Sequence, residues 1–221
     1  MQNFATPAPV SAVVDVPAGR LTFVAADRSD TTVEVRPADA SKSRDVKAAE
    51  QTTVAYTDGV LRIAAPGGHR ASARSGYVEV TVQLPAGSGV EVNAASAPLR
   101  GVGRLGAVVV KTAHGDIKLD EAASARLATQ AGDITVGRLT GPAELSTAKG
   151  DLRVDEAVQG ALDLRTQAGD VTVGVASGVT ASLDAGTTLG RIDNAITNSG
   201  GDVAVAIRAT TTLGDVSAHS R

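Results

Sequence analysis

Apolar and polar residues alternate with a period of two along most of the chain. Between residues 89 and 216 a glycine interrupts that alternation at near-regular intervals. With this glycine as position zero, the seventh residue before it is Val90, Val108, Ala125, Ala143, Leu162, Leu183 or Ile207 in successive segments. Five before it stand Val92, Val110, Leu127, Leu145, Leu164, Ala185 and Ala209, and three before it Thr112, Thr129, Thr147, Thr166, Thr187 and Thr211. Two after it stand Leu99, Ile117, Ile134, Leu152, Val171, Ile192 and Val216. Period-two alternation on both sides of a corner is a strand signal. Each segment therefore predicts two strands with their apolar residues turned inward and a short third side, such as 137–142 or 155–160, leading on to the next.

The corner itself is a recurring phrase: Gly115-Asp116, Gly132-Asp133, Gly150-Asp151, Gly169-Asp170 and Gly214-Asp215, each followed by Ile, Leu or Val. The first four copies are 17, 18 and 19 residues apart, too close for a helical repeat or a propeller blade and about right for one coil of a stacked structure. Ala97 replaces the glycine in the first coil, and Gly190 is followed by Arg191 in the sixth. Within these repeats no two-residue hairpin loop joins consecutive strands, and equivalent residues recur in one chain direction. The expected fold is all-β: a right-handed parallel β-helix of about seven coils of 17–24 residues, its hand taken from the right-handedness of about 98% of parallel crossovers. Like residues then pile up at roughly 4.8 Å spacing. Segment 115–122 matches 150–157 and segment 129–137 matches 166–174, so a two-coil unit has duplicated. The stack sets Arg138 between the acidic corners Asp120-Glu121 and Asp155-Glu156, an alternation of sign worth a few tenths of a kcal/mol.

Residues 1–88 lack the glycine–aspartate phrase, and the domain boundary is expected there, with 89–221 forming the repeats. The first part carries strand-like runs at 12–16, 20–25, 31–36, 52–56, 60–64 and 77–84, a tight hairpin turn at Asp58-Gly59, and a possible short helix at 39–51. An open stack end exposes unpaired strand edges. This part is therefore read as an N-terminal β cap.

The run Tyr77-Val-Glu-Val-Thr-Val-Gln-Leu-Pro-Ala-Gly87, then Gly89-Val-Glu-Val-Asn93, the successive glycine–aspartate coils and the final Thr211-Thr-Leu-Gly-Asp-Val216 carry a family likeness. Through them the chain resembles a bacterial β-strand-repeat family of unknown function whose members bear the label adhesin. The resemblance covers nearly the whole chain. It implies a β-helix-like body and supplies no catalytic residues.

Composition narrows the chemistry. Aromatic residues are 2% of the chain against 43% hydrophobic, so Val, Leu, Ile and Ala must build the core. Cysteine is missing, which excludes a disulfide framework and thiolate metal sites. A net charge of −3 implies neither a nucleic-acid nor a membrane surface. No apolar run approaches the ~18 residues of a membrane span. The first residues have no basic stretch leading into an apolar run, so a complete chain is expected in the cytoplasm, and a chain trimmed of a leader at the cell surface.

Three motifs need weighing. Gly101-Val-Gly-Arg-Leu-Gly106 fits a dinucleotide fingerprint, but strand sequence follows where a helix N-terminus must meet the pyrophosphate. The aspartates of the corner point outward and repel by roughly 0.9 kcal/mol per stacked pair in water. Turn hydrogen bonding at each corner offsets this. The competing reading is a cation ladder, which one carboxylate per coil ill suits, because calcium wants six or more oxygens. His69, Arg70 and Arg74 lie in a glycine-flanked loop that could touch an anionic partner. His114 and His219 have no nucleophile arranged with them, and four aromatics without tryptophan offer no sugar platforms.

The sequence thus predicts no catalytic, cofactor or metal site. It predicts a non-enzymatic β-helix scaffold or adhesin-like protein presenting a repetitive surface to an unknown protein or surface partner, with no nucleic acid and no membrane span, as a monomer or weakly self-associating. The alternatives are a self-assembling β-helix filament and then a carbohydrate-active β-helix enzyme.

Overall fold

The structure is a computed structural model that describes residues 1–68, 75–198 and 200–221. The chain runs β1 (Gln2–Ala5), β2 (Ser11–Ala26), β3 (Asp30–Pro37), α1 (Ser43–Gln51), β4 (Thr53–Thr57), β5 (Val60–Ala64), β6 (Val78–Pro85), β7 (Gly89–Ser96), β8 (Leu99–Lys111) and β9 (Ile117–Ala128). It continues through β10 (Ile134–Leu139), β11 (Ala143–Lys149), β12 (Leu152–Ala157), β13 (Gly160–Ala168), β14 (Val171–Val175), β15 (Ala181–Leu189), β16 (Ile192–Ala195), β17 (Val205–Leu213) and β18 (Val216–Ser220). All the strands join one long, mostly parallel sheet that folds around the corners, because β2, β8 and β9 each continue from one side to the next.

Two ladders of parallel strands result. Before the corner the order is β5, the first half of β2, β7, the end of β8, the end of β9, β11, β13, β17 and β15. After the corner it is β6, the second half of β2, the start of β8, the start of β9, β10, β12, β14, β18 and β16. The inward columns are the ones the alternation marks: Val90 lies beside Val108, then Ala125, Ala143 and Leu162. Leu127, Ile134, Leu145 and Leu152 are among the fully buried side chains. Stacking like on like lets small branched residues reach close packing with little aromatic volume.

Stacking order departs from chain order at one place. Leu162 lies beside Ile207, and Ile207 beside Leu183, so β17–β18 sits between β13–β14 and β15–β16. The outermost level is therefore β15–β16, where Leu189 and Ile192 are exposed.

The parallel pairing extends into the first 88 residues. Ala12 and Val14 lie beside Val90 and Val92, and Leu21 beside Leu99, so β2 makes a turn of the stack without a glycine–aspartate corner. β5 and β6 then add the next level on its far side. Beyond them the direction reverses: β4 pairs antiparallel with β5, β3 with β6, and β1 with β3. A reversed strand cannot template another parallel coil, which closes this edge. The rings of Phe4 and Tyr56, 5.6 Å apart, lie in this part of the molecule. Asp58 at φ +50° and Gly59 at φ +78° make the hairpin between β4 and β5, as a two-residue turn with positive φ at both positions requires. α1 lies within the 39–51 segment, and its buried Asp45 accepts the Tyr77 backbone N–H at 3.0 Å, tying the helix to the start of β6.

Candidate functional site

Each glycine–aspartate corner is a closed set of hydrogen bonds between levels. The Asp116 Oδ1 accepts the Asp133 N–H at 3.0 Å, Asp133 accepts from Asp151 at 2.8 Å, Asp151 from Asp170 at 2.8 Å, and Asp170 from Asp215 at 2.7 Å. The last carboxylate, Asp215, accepts from Arg191 at 2.7 Å. The acceptor thus serves the neighbouring level 17 to 45 residues away, where the sequence suggested a bond within its own turn. This is a sheet bond made by a side chain, carried through the corner where the backbone ladder must bend.

Threonines complete the corner. Thr147 donates to the Gly132 carbonyl at 3.2 Å, Thr166 to Gly150 at 3.0 Å and Thr211 to Gly169 at 2.9 Å. These hydroxyls are nearly buried, so the bonds meet the cost of placing them beside the core. The Asp215 carboxyl is held below the usual carboxylate range, first by the Arg191 N–H and then by the Arg191 guanidinium 3.2 Å away.

An Asp133→Asn variant keeps an oxygen acceptor for the Asp151 N–H and should melt close to wild type. Asp133→Ala removes the acceptor and should cost about 1 kcal/mol, the usual net worth of one hydrogen bond. Thermal denaturation of both checks this; equal, large losses would show that the charge itself is required.

The outward side chains of the ladder before the corner form a second set of columns. In stack order one column reads Glu91, Val109, Arg126, Glu144, Asp163, Arg208 and Asp184. Arg126 meets Glu144 at 3.1 Å and Arg208 meets Asp184 at 3.7 Å. Asp163 is bridged by Arg165, whose hydrogen bonds lower its pKa, with Arg208 adding a smaller pull. Small residues flank this column: Ala107, Ser124, Pro142, Ala161, Ala206 and Ser182. Two open depressions lie along these columns. One, of about 310 Å³, is lined by Ser124, Arg126, Pro142 and Glu144. The other, of about 330 Å³, is lined by Ala161, Asp163, Ser182, Asp184, Ala206 and Arg208.

On the ladder after the corner, Arg100 meets Asp120 at 2.8 Å and Arg138 meets Glu156 at 3.2 Å. Arg138 lies in register between Glu121 and Glu156, the alternation of sign expected from the repeat. Gly101–Gly106 lies inside β8, with no helix following it. His114 bridges Ser96 and Ala131 at the corner, and His219 lies on β18 beside Gly174. His69, Arg70 and Arg74 lie outside the described residues. Among the described residues no group of three or more His, Asp or Glu is placed to hold a metal ion, and no helix is long and apolar enough to cross a membrane.

A stacked, mostly parallel all-β body with hydrogen-bonded corners defines the class of protein. Residues 13–221 match the toastrack DUF4097 family, and the chain belongs to it. Its structure is similar to that of a protein from Clostridium sporogenes named as a candidate cell adhesion protein, at 10% identity over 100% of this chain and 98% of that one, with a TM-score of 0.43. It is also similar to a candidate adhesin from Bacteroides fragilis, at 12% identity over 98% and 95% of the two chains, with a TM-score of 0.45. A candidate lipid binding protein from Parabacteroides distasonis is 11% identical over 98% and 95%, with a TM-score of 0.38. None of the curated proteins matches the chain.

Proposed function

We propose that this protein is a non-enzymatic scaffold, a right-handed β-helix that presents the outer face before the glycine corner to a macromolecular partner. One observation carries this reading. The same small and charged columns line two open depressions at different levels, so the surface repeats its chemistry along the stack. A partner with periodic features of its own can meet several levels at once, which gains affinity by multivalency rather than from one deep pocket. The Arg126–Glu144, Arg165–Asp163 and Arg208–Asp184 ion pairs orient those side chains before contact, which lowers the ordering cost of binding.

The test is affinity capture from the source cell, with Arg126→Glu/Asp163→Arg as the altered-face bait and Arg153→Glu as a control on the other face. The reading expects a partner retained by wild type and by Arg153→Glu and lost with the altered face. Equal retention by all three baits would refute it.

A second reading, weak self-association, is favoured by the exposed Leu189, Ile192 and Leu213 near the outermost level. Sedimentation velocity over rising concentration decides it: a Leu189→Glu variant should abolish any concentration-dependent species.

A further inference from the structure

Two strand pairs of this chain fit one place in the stack. β13 and β15 both pair with β17, and at matching positions. Leu162, Leu164 and Ala168 lie beside Ile207, Ala209 and Leu213, which lie in turn beside Leu183, Ala185 and Leu189. The other ladder repeats this: Val171 lies beside Val216, and Val216 beside Ile192. β15–β16 is therefore already in register with β13–β14, one level removed. By the reach of an extended chain, the five residues 176–180 between β14 and β15 can span one level or two, roughly 5 or 10 Å.

Side chains do choose. Along the run of corners from Asp133 to Asp215, each level accepts a corner N–H on one side and donates one on the other. Asp215 does both, donating its N–H to Asp170 and accepting from Arg191. Arg191 donates but carries no side-chain oxygen, so between β13–β14 and β17–β18 it would leave the Asp215 N–H without the acceptor that Asp170 now supplies. The inward columns agree. Ala218 is fully buried between Val173 and Asn194, whereas Asn194 lies exposed at the end of the same column. Chain order would bury Asn194, whose Oδ1 accepts the Ile196 N–H, in the apolar place that Ala218 now fills, and desolvate its amide NH2.

We infer that the last two coils are a bistable pair whose order is set by the residues at 191, 194, 215 and 218, and that Arg191 and Asn194 lock β15–β16 outside. The exchange of those residues should rewire the stack into chain order without changing any strand's register.

The absence of native cysteine makes the order readable by disulfide trapping in the full chain. Asp163, Arg208 and Asp184 are consecutive in one outward column. In the observed order Asp163→Cys/Arg208→Cys and Asp184→Cys/Arg208→Cys should bridge. Asp163→Cys/Asp184→Cys should not, being two rungs and about 9.6 Å apart, beyond the ~7 Å reach of a disulfide. In the exchanged background Arg191→Asp/Asn194→Ala/Asp215→Arg/Ala218→Asn, the 163–184 bridge should appear and the 163–208 bridge should be lost. The milder background Arg191→Asp/Asn194→Ala leaves β17–β18 intact and should show both bridges in the monomer. Circular dichroism reports which backgrounds are folded. A folded exchanged variant with the wild-type bridges refutes the inference. If that variant does not fold, the wild-type bridge pattern in the milder one refutes it equally.

Discussion

Leu145→Asp is expected to unfold the body of the protein rather than loosen one coil. Leu145 is fully buried in β11, beside Leu127 on one side and Leu164 on the other, all three in one apolar column. Truncating a buried leucine costs about 2–5 kcal/mol through lost burial and the cavity left behind. The aspartate adds a carboxyl with no donor in that column, at several kcal/mol more whether it stays charged or takes up a proton. Together these rival the whole stability of an ordinary domain, about 5–15 kcal/mol. The loss spreads because neighbouring levels bury only each other: with β11 disordered, Leu127 and Leu164 each lose a covering face. Far-ultraviolet circular dichroism at 25 °C should show little native strand signal. Leu145→Met, which keeps the volume, should cost less than about 1.5 kcal/mol. A folded Leu145→Asp protein with a melting temperature within a few degrees of wild type would contradict the packing described here.

The columns that make Leu145 vulnerable were readable in the sequence because their spacing is rigid. A slip of one residue would turn every inward side chain outward, so alternation plus the glycine reference fixes register at Leu127, Leu145 and Leu164 alike. The exchange of the last two coils was not readable that way. Leu183 and Ile207 are equally good neighbours for Leu162, and the periodic signal gives each coil a register but no address. The one local sign was Arg191 in place of aspartate, and its meaning depends on where the Asp215 carboxylate goes. That destination was hidden for a similar reason. An aspartate after a corner glycine can accept from its own turn or from the next level, and residue type alone does not distinguish the two. The membership of β2 in the parallel ladder was also obscured. Its corner is Pro17-Ala18-Gly19, which lacks the repeated phrase although Val14 and Leu21 fall on the same columns as Val92 and Leu99. As for the candidate face, the sequence showed its charges as a generic polar alternation. Only the stacking order placed Asp163, Arg208 and Asp184 together.

Gly150→Ala should destabilise nearly as strongly as a core deletion, though it adds a single methyl group at a partly exposed corner. Two independent costs meet there. Gly150 has φ +144°, a conformation that L side chains rarely adopt, with strain on the order of 1–3 kcal/mol. A Cβ would also lie 2.2 Å from the Gly132 carbonyl oxygen and 2.9 Å from the Asp133 carboxylate. Neither atom can retreat cheaply. The Gly132 oxygen accepts the Thr147 hydroxyl, and the Asp133 Oδ1 accepts the Asp151 N–H. Moving them breaks the corner of the level below, whose own glycine is in the same situation. A loss of about 3 kcal/mol or more is therefore expected, in the range reserved for backbone strain and broken hydrogen-bond networks. Gly186→Ala is the control. Gly186 lies on β15 without positive φ, and its nearest prospective contact is the Thr210 methyl at 3.9 Å. There the added methyl should be neutral or stabilising, by up to about 1 kcal/mol through reduced freedom of the unfolded chain. Denaturant melts of the two variants separate a general intolerance of alanine from the specific demand of the corner. Similar midpoints for both would mean that the glycine carbonyl column is free to shift, and that the corners do not bind one level to the next.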